Sequence, residues 1–237
     1  MRFSTSTEFL VNKVTGKAIY DYKMISRNDK ILVGVSGPDS LSLLDVLKTR
    51  QSFVPIKYKL IAVHVDMNAK NAKVIEDYLK GLGVEYYIVK ADLNEGKKDI
   101  KTGECFWCSW KRREEIFKLA SRLKCKKIAF GHHLDDIDET FLMNVFLHGE
   151  ISTMPPKLAM FKGRFKLIRP FCRIEKKHIE QYAREKHIPF MPFKCPYGKV
   201  SSRALMRRII EDVGKRCPDV KINIFRSSSN IKRAYLP

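Results

Sequence analysis

The sequence predicts an α/β protein on a doubly wound parallel sheet, extended at its C-terminal end by basic helices. Three observations predict it. Short apolar runs alternate along the chain with segments whose apolar residues recur at helical spacing, the pattern of a parallel sheet covered by helices. Residues able to do chemistry cluster directly after two of those runs, where such sheets bind their ligands. The net charge of +20 on 237 residues is also concentrated: residues 151–237 carry a net +15, against +4 for residues 1–100 and +1 for residues 101–150.

The elements follow in order. Lys30–Val35 (KILVGV) reads as a buried first strand, followed by a turn over Ser36–Ser40 and a helix with Leu41, Leu43, Leu44 and Leu47 on its apolar side. Tyr58–Asp66 is a second strand and Asn71–Leu82 a helix through Val74, Tyr78 and Leu82. Val84–Val89 is a third strand. Glu114–Leu123 is a helix through Ile116, Phe117, Leu119 and Ala120. Lys127–Phe130 is a fourth strand, Asp136–Leu147 a helix, and Phe165–Ile168 a fifth strand. Glu175–Lys186 and Ser201–Lys215 are helices. With no linker before about residue 190, residues 1–190 are expected to form the main domain and residues 191–237 a basic extension packed on it.

Composition narrows the function. No apolar run approaches the roughly 18 residues a membrane helix needs, so no membrane partner is expected. The start, MRFSTSTEFLVNK, has no apolar signal core, which points to the cytoplasm. Six cysteines in that setting suggest reduced thiols, metal ligands or catalysis rather than a disulfide scaffold. Cys125, Cys172 and Cys217 read as small buried apolar residues. The concentrated positive charge points to a polyanion, nucleic acid first and an anionic membrane second, against the plainer reading of a solvated basic face. Arg203, Arg207 and Arg208 share one helix, and Lys157, Lys162, Arg164 and Lys166 cluster earlier.

Three constellations carry chemistry. Ser36-Gly37-Pro38-Asp39-Ser40, between a strand and a helix, offers backbone N–H groups, a helix N-terminus and two hydroxyls to a phosphate. Asp39 would repel that anion unless it holds Mg²⁺; otherwise the segment is an ordinary turn with an Asp cap. Gly131-His132-His133-Leu134-Asp135-Asp136 ends the fourth strand and opens a helix. Its carboxylates suit the helix dipole and a Mg²⁺ held against phosphates, or else only cap the helix. Cys105-Phe106-Trp107-Cys108, with Cys195 far downstream, can chelate a metal, belong to an iron–sulfur cluster or form a redox pair. Phe106, Trp107 and Trp110 beside these cysteines could stack on a base or simply belong to the core.

The first segment resembles the S-G-G-x-D-S signature of PP-loop ATP pyrophosphatases, with five residues where the signature has six. The second closely resembles the G-H-H-x-D-D motif of tRNA thiolases in that group. Together with the C-x-x-C followed by Lys111, Arg112 and Arg113, with Met154-Pro155-Pro156-Lys157 and with Ile168-Arg169-Pro170, the chain from about Lys30 to about Arg208 resembles the tRNA 2-thiocytidine synthetase family and its thiouridine-forming relatives. The resemblance implies a sheet of the PP-loop, adenine nucleotide alpha hydrolase-like type. It implies ATP-dependent adenylation of the C2 carbonyl of a pyrimidine, most simply a cytidine in the anticodon loop, and replacement of that oxygen by sulfur.

Residue by residue, the resemblance implies that Ser36, Gly37, Asp39 and Ser40 line the phosphates of ATP and its Mg²⁺, and that His64 and Gly131 face the nucleotide. Asp136 is the leading carboxylate, Arg112 (or Lys111) neutralises phosphate charge, and Cys105, Cys108 and Cys195 hold a 4Fe–4S cluster. The implied partners are tRNA on the basic last third and a sulfur donor, either a cysteine desulfurase or free sulfide; a homodimer is left open. Alternatives are a lysidine-type tRNA ligase, a non-catalytic nucleotide- or RNA-binding module with a shortened loop, and a zinc-stabilised structural protein with His132 or His133 as fourth ligand.

Overall fold

A computed structural model describes residues 3–67, 72–91, 104–189 and 202–235, with the side chains of residues 104–106 outside that set. The elements are α1 (Ser6–Asp21), β1 (Lys30–Val35), α2 (Pro38–Arg50), β2 (Lys59–Asp66), α3 (Ala72–Leu82), β3 (Glu85–Lys90), α4 (Glu104–Arg122), β4 (Lys127–Ala129) and α5 (Leu134–Met143). After a π-helical turn at Asn144–His148 come β5 (Lys157–Met160), β6 (Phe165–Ile168), α6 (Lys176–Glu185), α7 (Ser202–Gly214) and α8 (Val220–Ser227).

Six strands form one sheet in the order β3-β2-β1-β4-β6-β5. β1 lies between β2 and β4, with Val35 beside His64 and Val33 beside Ala129, all parallel. Alternate residues of β1 feed two cores, as the two-residue period of a strand requires. Ile31, Val33 and Val35 pack with α1, α2 and α6 through residues such as Val11, Leu44 and Tyr182. Leu32 packs on the other face with Ile61, Val63, Ile116 and Leu167, under α4. Strands buried on both faces read as continuous apolar runs, which is why KILVGV was legible.

Several expectations are corrected. The sheet is parallel except at one edge, where β5 runs antiparallel to β6 and pairs Lys157 with Ile168. The connecting turn holds Phe161, Lys162 and Gly163 at positive φ. α4 begins ten residues before the expected Glu114. Asp39 and Ser40 lie in the first turn of α2 rather than before it. α5 starts at Leu134 and ends at Met143, giving way to the π turn, which Gly149 closes at φ 66°.

Neither α1 nor α8 was foreseen. α1 buries Val11 and Ala18 in the core and is also tied by polar contacts distant in sequence: Thr5 and Thr7 donate to Glu185 on α6 at 2.6 and 2.9 Å, and Lys186 pairs with Glu8 at 2.7 Å. α7 and α8 both pack on α5, the helix that carries the acidic motif. No described helix is long and apolar enough to cross a membrane.

Candidate active site

A cleft of about 450 Å³ opens at the C-terminal ends of β1, β4 and β6. Of the expected site residues it gathers Ser36, Gly37, Asp39, Ser40, Arg112, Gly131 and Asp136. His64 is not among them: it is buried, with Nδ1 2.9 Å from the carbonyl oxygen of Val35. Burial is the main cause that lowers its pKa, so it stays neutral and donates that bond across the β1–β2 rim. That bond ties the ends of β1 and β2 together.

The short loop works by economy. Gly37 is the N-cap of α2 in an extended conformation, and Pro38 takes the first helical position, where a missing N–H costs nothing. Ser40 Oγ accepts from the amides of Ser36 (2.9 Å) and Gly37 (3.2 Å) and donates to the Gly37 carbonyl (2.9 Å). Two amides at a helix N-terminus are thus ordered in advance for an oxyanion.

The second motif faces this loop. A Cβ at Gly131 would lie 2.8 Å from both the Cα and the N of Ser40, so only glycine lets the turns after β1 and β4 touch. His133 caps α5, and its amide donates to Asp136 Oδ2 at 3.1 Å. The His133 ring stands between the two motifs, with Nε2 3.4 Å from Asp136 Oδ2 and 3.8 Å from Asp39 Oδ2. Burial opposes its charge, but Asp135, Asp136 and Asp39 outweigh burial and raise its pKa. Asp39 is itself pushed up, chiefly by burial, against the pull of Lys176 and His133.

Asp135 and Asp136 of the motif, and Glu139 one turn further along α5, have separate work. Asp135 turns away from the cleft and accepts from the Lys176 amide at 2.7 Å and from Lys221 Nζ at 2.6 Å, tying α5 to α6 and α8. Burial would raise its pKa, yet His133, Lys221 and that amide hold it well below the usual carboxylate range. Asp136 faces the cleft. Arg203 of α7 donates from Nη1 to Asp136 Oδ1 at 3.0 Å and from Nη2 to Thr140 Oγ1 at 3.2 Å. Arg207 pairs with Glu139, only 1% exposed, at 2.7 Å. Of the expected basic cluster, Arg203 and Arg207 pair with acids of α5, while Arg207 and Arg208 both remain exposed.

α4 forms the opposite wall. Ser109, Arg112 and Arg113 line the cleft, while Lys111 is buried, pairs with Glu114 at 3.4 Å and lies over the rings of Trp107 and Trp110. Arg112, rather than Lys111, is placed to meet an anion. Trp107 and Trp110 stack on each other at 5.2 Å, so Trp107 belongs to the packing. Cys108 is half-buried one helical turn before Arg112, and Cys105 lies three residues before Cys108 on the same helix. The Cys105 side chain and the whole of Cys195 lie outside the described residues, and among the described residues no three His, Cys, Asp or Glu side chains form a metal cluster. Cys125 and Cys172 are buried as expected; Cys217 is only half-buried, a correction.

Sequence reasoning missed three cleft arginines. Arg203 carried a signal only as part of a charge cluster, and Arg113 and Arg169 only as part of family motifs; all three line the cleft. His132 lines it too, with its imidazole held neutral, mainly by burial and despite Asp136.

A nucleotide-sized cleft at the switch between β1 and β4, with a glycine loop on one side and acids on the other, defines a class. Residues 8–213 match the PP-loop domain family. The tRNA-cytidine(32) 2-sulfurtransferase of Hahella chejuensis (strain KCTC 2396) is 37% identical over 234 residues, covering 96% of this chain and 82% of that protein. The tRNA-cytidine(32) 2-sulfurtransferase of Cupriavidus necator is 38% identical over 229 residues, covering 94% and 73%. The chain belongs to the PP-loop family, in the branch of these tRNA 2-sulfurtransferases. Among solved structures, the U34-tRNA thiolase NcsA from Methanococcus maripaludis with its [4Fe-4S] cluster shares the fold at TM-score 0.79 and 23% identity, covering 94% of this chain and 79% of that one. The NH3-dependent NAD synthetase from Campylobacter jejuni matches more distantly, at TM-score 0.52 and 14% identity over 99% and 98% of the two chains.

Proposed function

We propose that the chain is an ATP-dependent tRNA thiolase that adenylates the C2 carbonyl oxygen of a cytidine, position 32 of the anticodon loop, and replaces it with sulfur. The observation that carries this reading is the meeting of the Ser36–Ser40 loop and the His132–Asp136 motif across one cleft, in a chain related along nearly its whole length to tRNA-cytidine(32) 2-sulfurtransferases.

In this reading the Ser36 and Gly37 amides exchange Ser40 Oγ for phosphate oxygens of ATP. Asp39 and Asp136 flank one ring, that of His133, which suits a Mg²⁺ that takes one or two carboxylates and shares the phosphates. Arg112 neutralises phosphate charge from the α4 wall. The base oxygen attacks the α-phosphorus, the bond to pyrophosphate breaks, and pyrophosphate leaves with the electron pair. A sulfur nucleophile then adds at C2, and AMP departs with the former carbonyl oxygen. The base must leave its stack for this to happen.

Cys105 and Cys108 occupy the start of the helix whose later turns, at Ser109 and Arg112, line the cleft, and thiolates are the ligands iron–sulfur clusters prefer. Together with Cys195 they would hold a 4Fe–4S cluster, which when bound supplies an iron with a free position for sulfur. Within the same reading, residues 1–190 form the catalytic unit and the 191–237 extension completes the cluster and tRNA sites. The donor is a cysteine desulfurase or free sulfide, the setting is cytoplasmic, and a second copy of the chain is compatible with it. tRNA rests on the exposed Lys162, Arg164 and Lys166 of the β5–β6 hairpin and on Arg208.

The test is anaerobic incubation of the purified protein with tRNA, Mg²⁺·ATP and sulfide, followed by mass spectrometry of the nucleosides, paired with tRNA from a deletion strain. 2-Thiocytidine formed in the first and missing from the second is expected; a deletion strain that keeps it overturns the reading. Reversing Lys162, Arg164 and Lys166 to Glu should weaken tRNA binding and flatten its salt dependence, because fewer counterions are released.

A further inference from the structure

Two stretches that the sequence singled out, Met154-Pro155-Pro156-Lys157 and Ile168-Arg169-Pro170, have no chemistry assigned above. The structure joins them around one side chain. The amide of Arg169 donates to the Pro156 carbonyl at 2.9 Å, and its Nη1 donates to the Pro155 carbonyl at 2.5 Å. Consecutive prolines fix the backbone that presents those two carbonyls. The guanidinium is thus held from behind, at the C-terminal end of β6, and Arg169 lines the cleft beside Met154, His132 and Asp136.

Arg169 is only 6% exposed, and its Nε has no hydrogen-bond partner. No carboxylate makes an ion pair with it among the described residues: Asp136 is engaged by Arg203 and His133 instead. Burial lowers its pKa to about 10, with Arg113 adding to the effect, so the group still carries its charge at neutral pH. A buried, charged donor without a counter-ion is costly unless something supplies the anion. The Nε of Arg112, on the facing wall, is likewise buried without a partner.

We propose that Arg169 is a catalytic residue that binds the phosphate chain of ATP, a fixed cation facing the Ser36–Ser40 loop across the cleft, with Pro155 and Pro156 as the brace that aims it. Phosphate oxygens satisfy the orphaned donor with charge-assisted hydrogen bonds, which are about twice as strong as neutral ones. As the base oxygen bonds to the α-phosphorus and the bond to pyrophosphate breaks, negative charge moves onto the departing oxygen. Arg169 stays protonated throughout and meets that charge without rearranging. Lysine cannot reproduce this, because the fork that reaches a phosphate on one side and Pro155 on the other is lost.

This inference rests on the cleft being the ATP site, and wild-type protein tests that premise alone by binding Mg²⁺·ATP in equilibrium dialysis. Arg169→Lys and Arg169→Gln are then compared with it for ATP affinity, for pyrophosphate release with tRNA and for thermal midpoint. Expected are a loss of ATP affinity of at least about 10-fold in both variants, a fall in kcat for pyrophosphate release, and partial recovery of Arg169→Gln on adding guanidinium at low millimolar concentration. A purely structural arginine would lower the thermal midpoint and leave the ATP affinity of the folded protein unchanged. That result in whichever variant folds, with the wild type binding ATP, overturns the proposal.

Discussion

The turns after β1 and β4 make an instructive pair. They sit on neighbouring parallel strands, each opens a helix, and they touch at Gly131 and Ser40. The first carries one acid, Asp39, 3.8 Å from both Lys176 Nζ and His133 Nε2, and its backbone satisfies itself: one hydroxyl takes two amides and returns a hydrogen bond. The second carries more charge, its acids answered by His133, by the Lys176 amide of α6, by arginines of α7 and by Lys221 of α8. A self-contained hydrogen-bond knot can be exchanged for a phosphate at small cost, because each partner lost is replaced. A network of charges and amides drawn from four helices holds its shape and stores a field for a ligand.

The largest effect should come from forcing the two turns apart. Gly131→Ala places a Cβ against backbone atoms of Ser40 that cannot step aside. Pyrophosphate release should fall by at least about 100-fold, a loss of the size produced when a group at the reaction centre is displaced by an ångström. Steady-state assay of the folded protein checks this; activity within a few-fold of wild type would show that the turns need not touch. Asp136→Asn keeps an acceptor for the His133 amide while removing the charge, so the helix cap should survive and turnover should drop by about two orders of magnitude, with little change in circular dichroism.

Arg203→Ala sharpens the contrast from the α7 side. It removes the cation that now neutralises Asp136, and a change of about 10-fold in the apparent Mg²⁺ requirement is expected. Magnesium titration of pyrophosphate release reads it out, and an unchanged curve would detach α7 from the site.

The smallest effect concerns Asp138, which is 0% exposed with neither carboxylate oxygen hydrogen-bonded. Burial, helped by nearby Asp135, pushes its pKa up to about 8. From about pH 4, the ordinary carboxylate range, to pH 8 the folded protein holds a proton that the unfolded chain has released. This group alone therefore makes folding less favourable as pH rises through that window, and the slope ends above it. Asp138→Asn lacks the slope. Its thermal midpoint should exceed that of wild type by a margin that is wider at pH 8 than at pH 6, worth about 1 kcal/mol or more; a margin independent of pH would show that Asp138 is already ionised at pH 6.

Much of this molecule was legible in its residues. KILVGV, the helix α2 that follows it and both motifs of the cleft announce themselves, because a buried parallel strand must be apolar throughout and a ligand turn must carry its donors in consecutive positions. α1 was not legible, because the partners that stabilise it, Glu185 and Lys186, lie some 180 residues away. The antiparallel β5 was hidden in a short segment, KLAM, whose strand character depends on the β6 edge beside it.

The direction of the arginines was decided by tertiary structure alone. Arg203, Arg207 and Arg208 look alike in sequence, where their clustering points to nucleic acid. α7 packs on α5, so Arg203 and Arg207 meet Asp136 and Glu139, although Arg207, like Arg208, stays exposed to solvent. Arg169 carried a signal only as part of the Ile168-Arg169-Pro170 motif, with no role attached; only the fold of the β5–β6 hairpin brings Pro155 and Pro156 behind it. Local sequence determines which backbone forms and which chemistry it offers, because propensity, capping and strand burial act over a few residues. Whether a charge becomes a site, a brace or a surface depends on what lies opposite it, and only long-range packing supplies that.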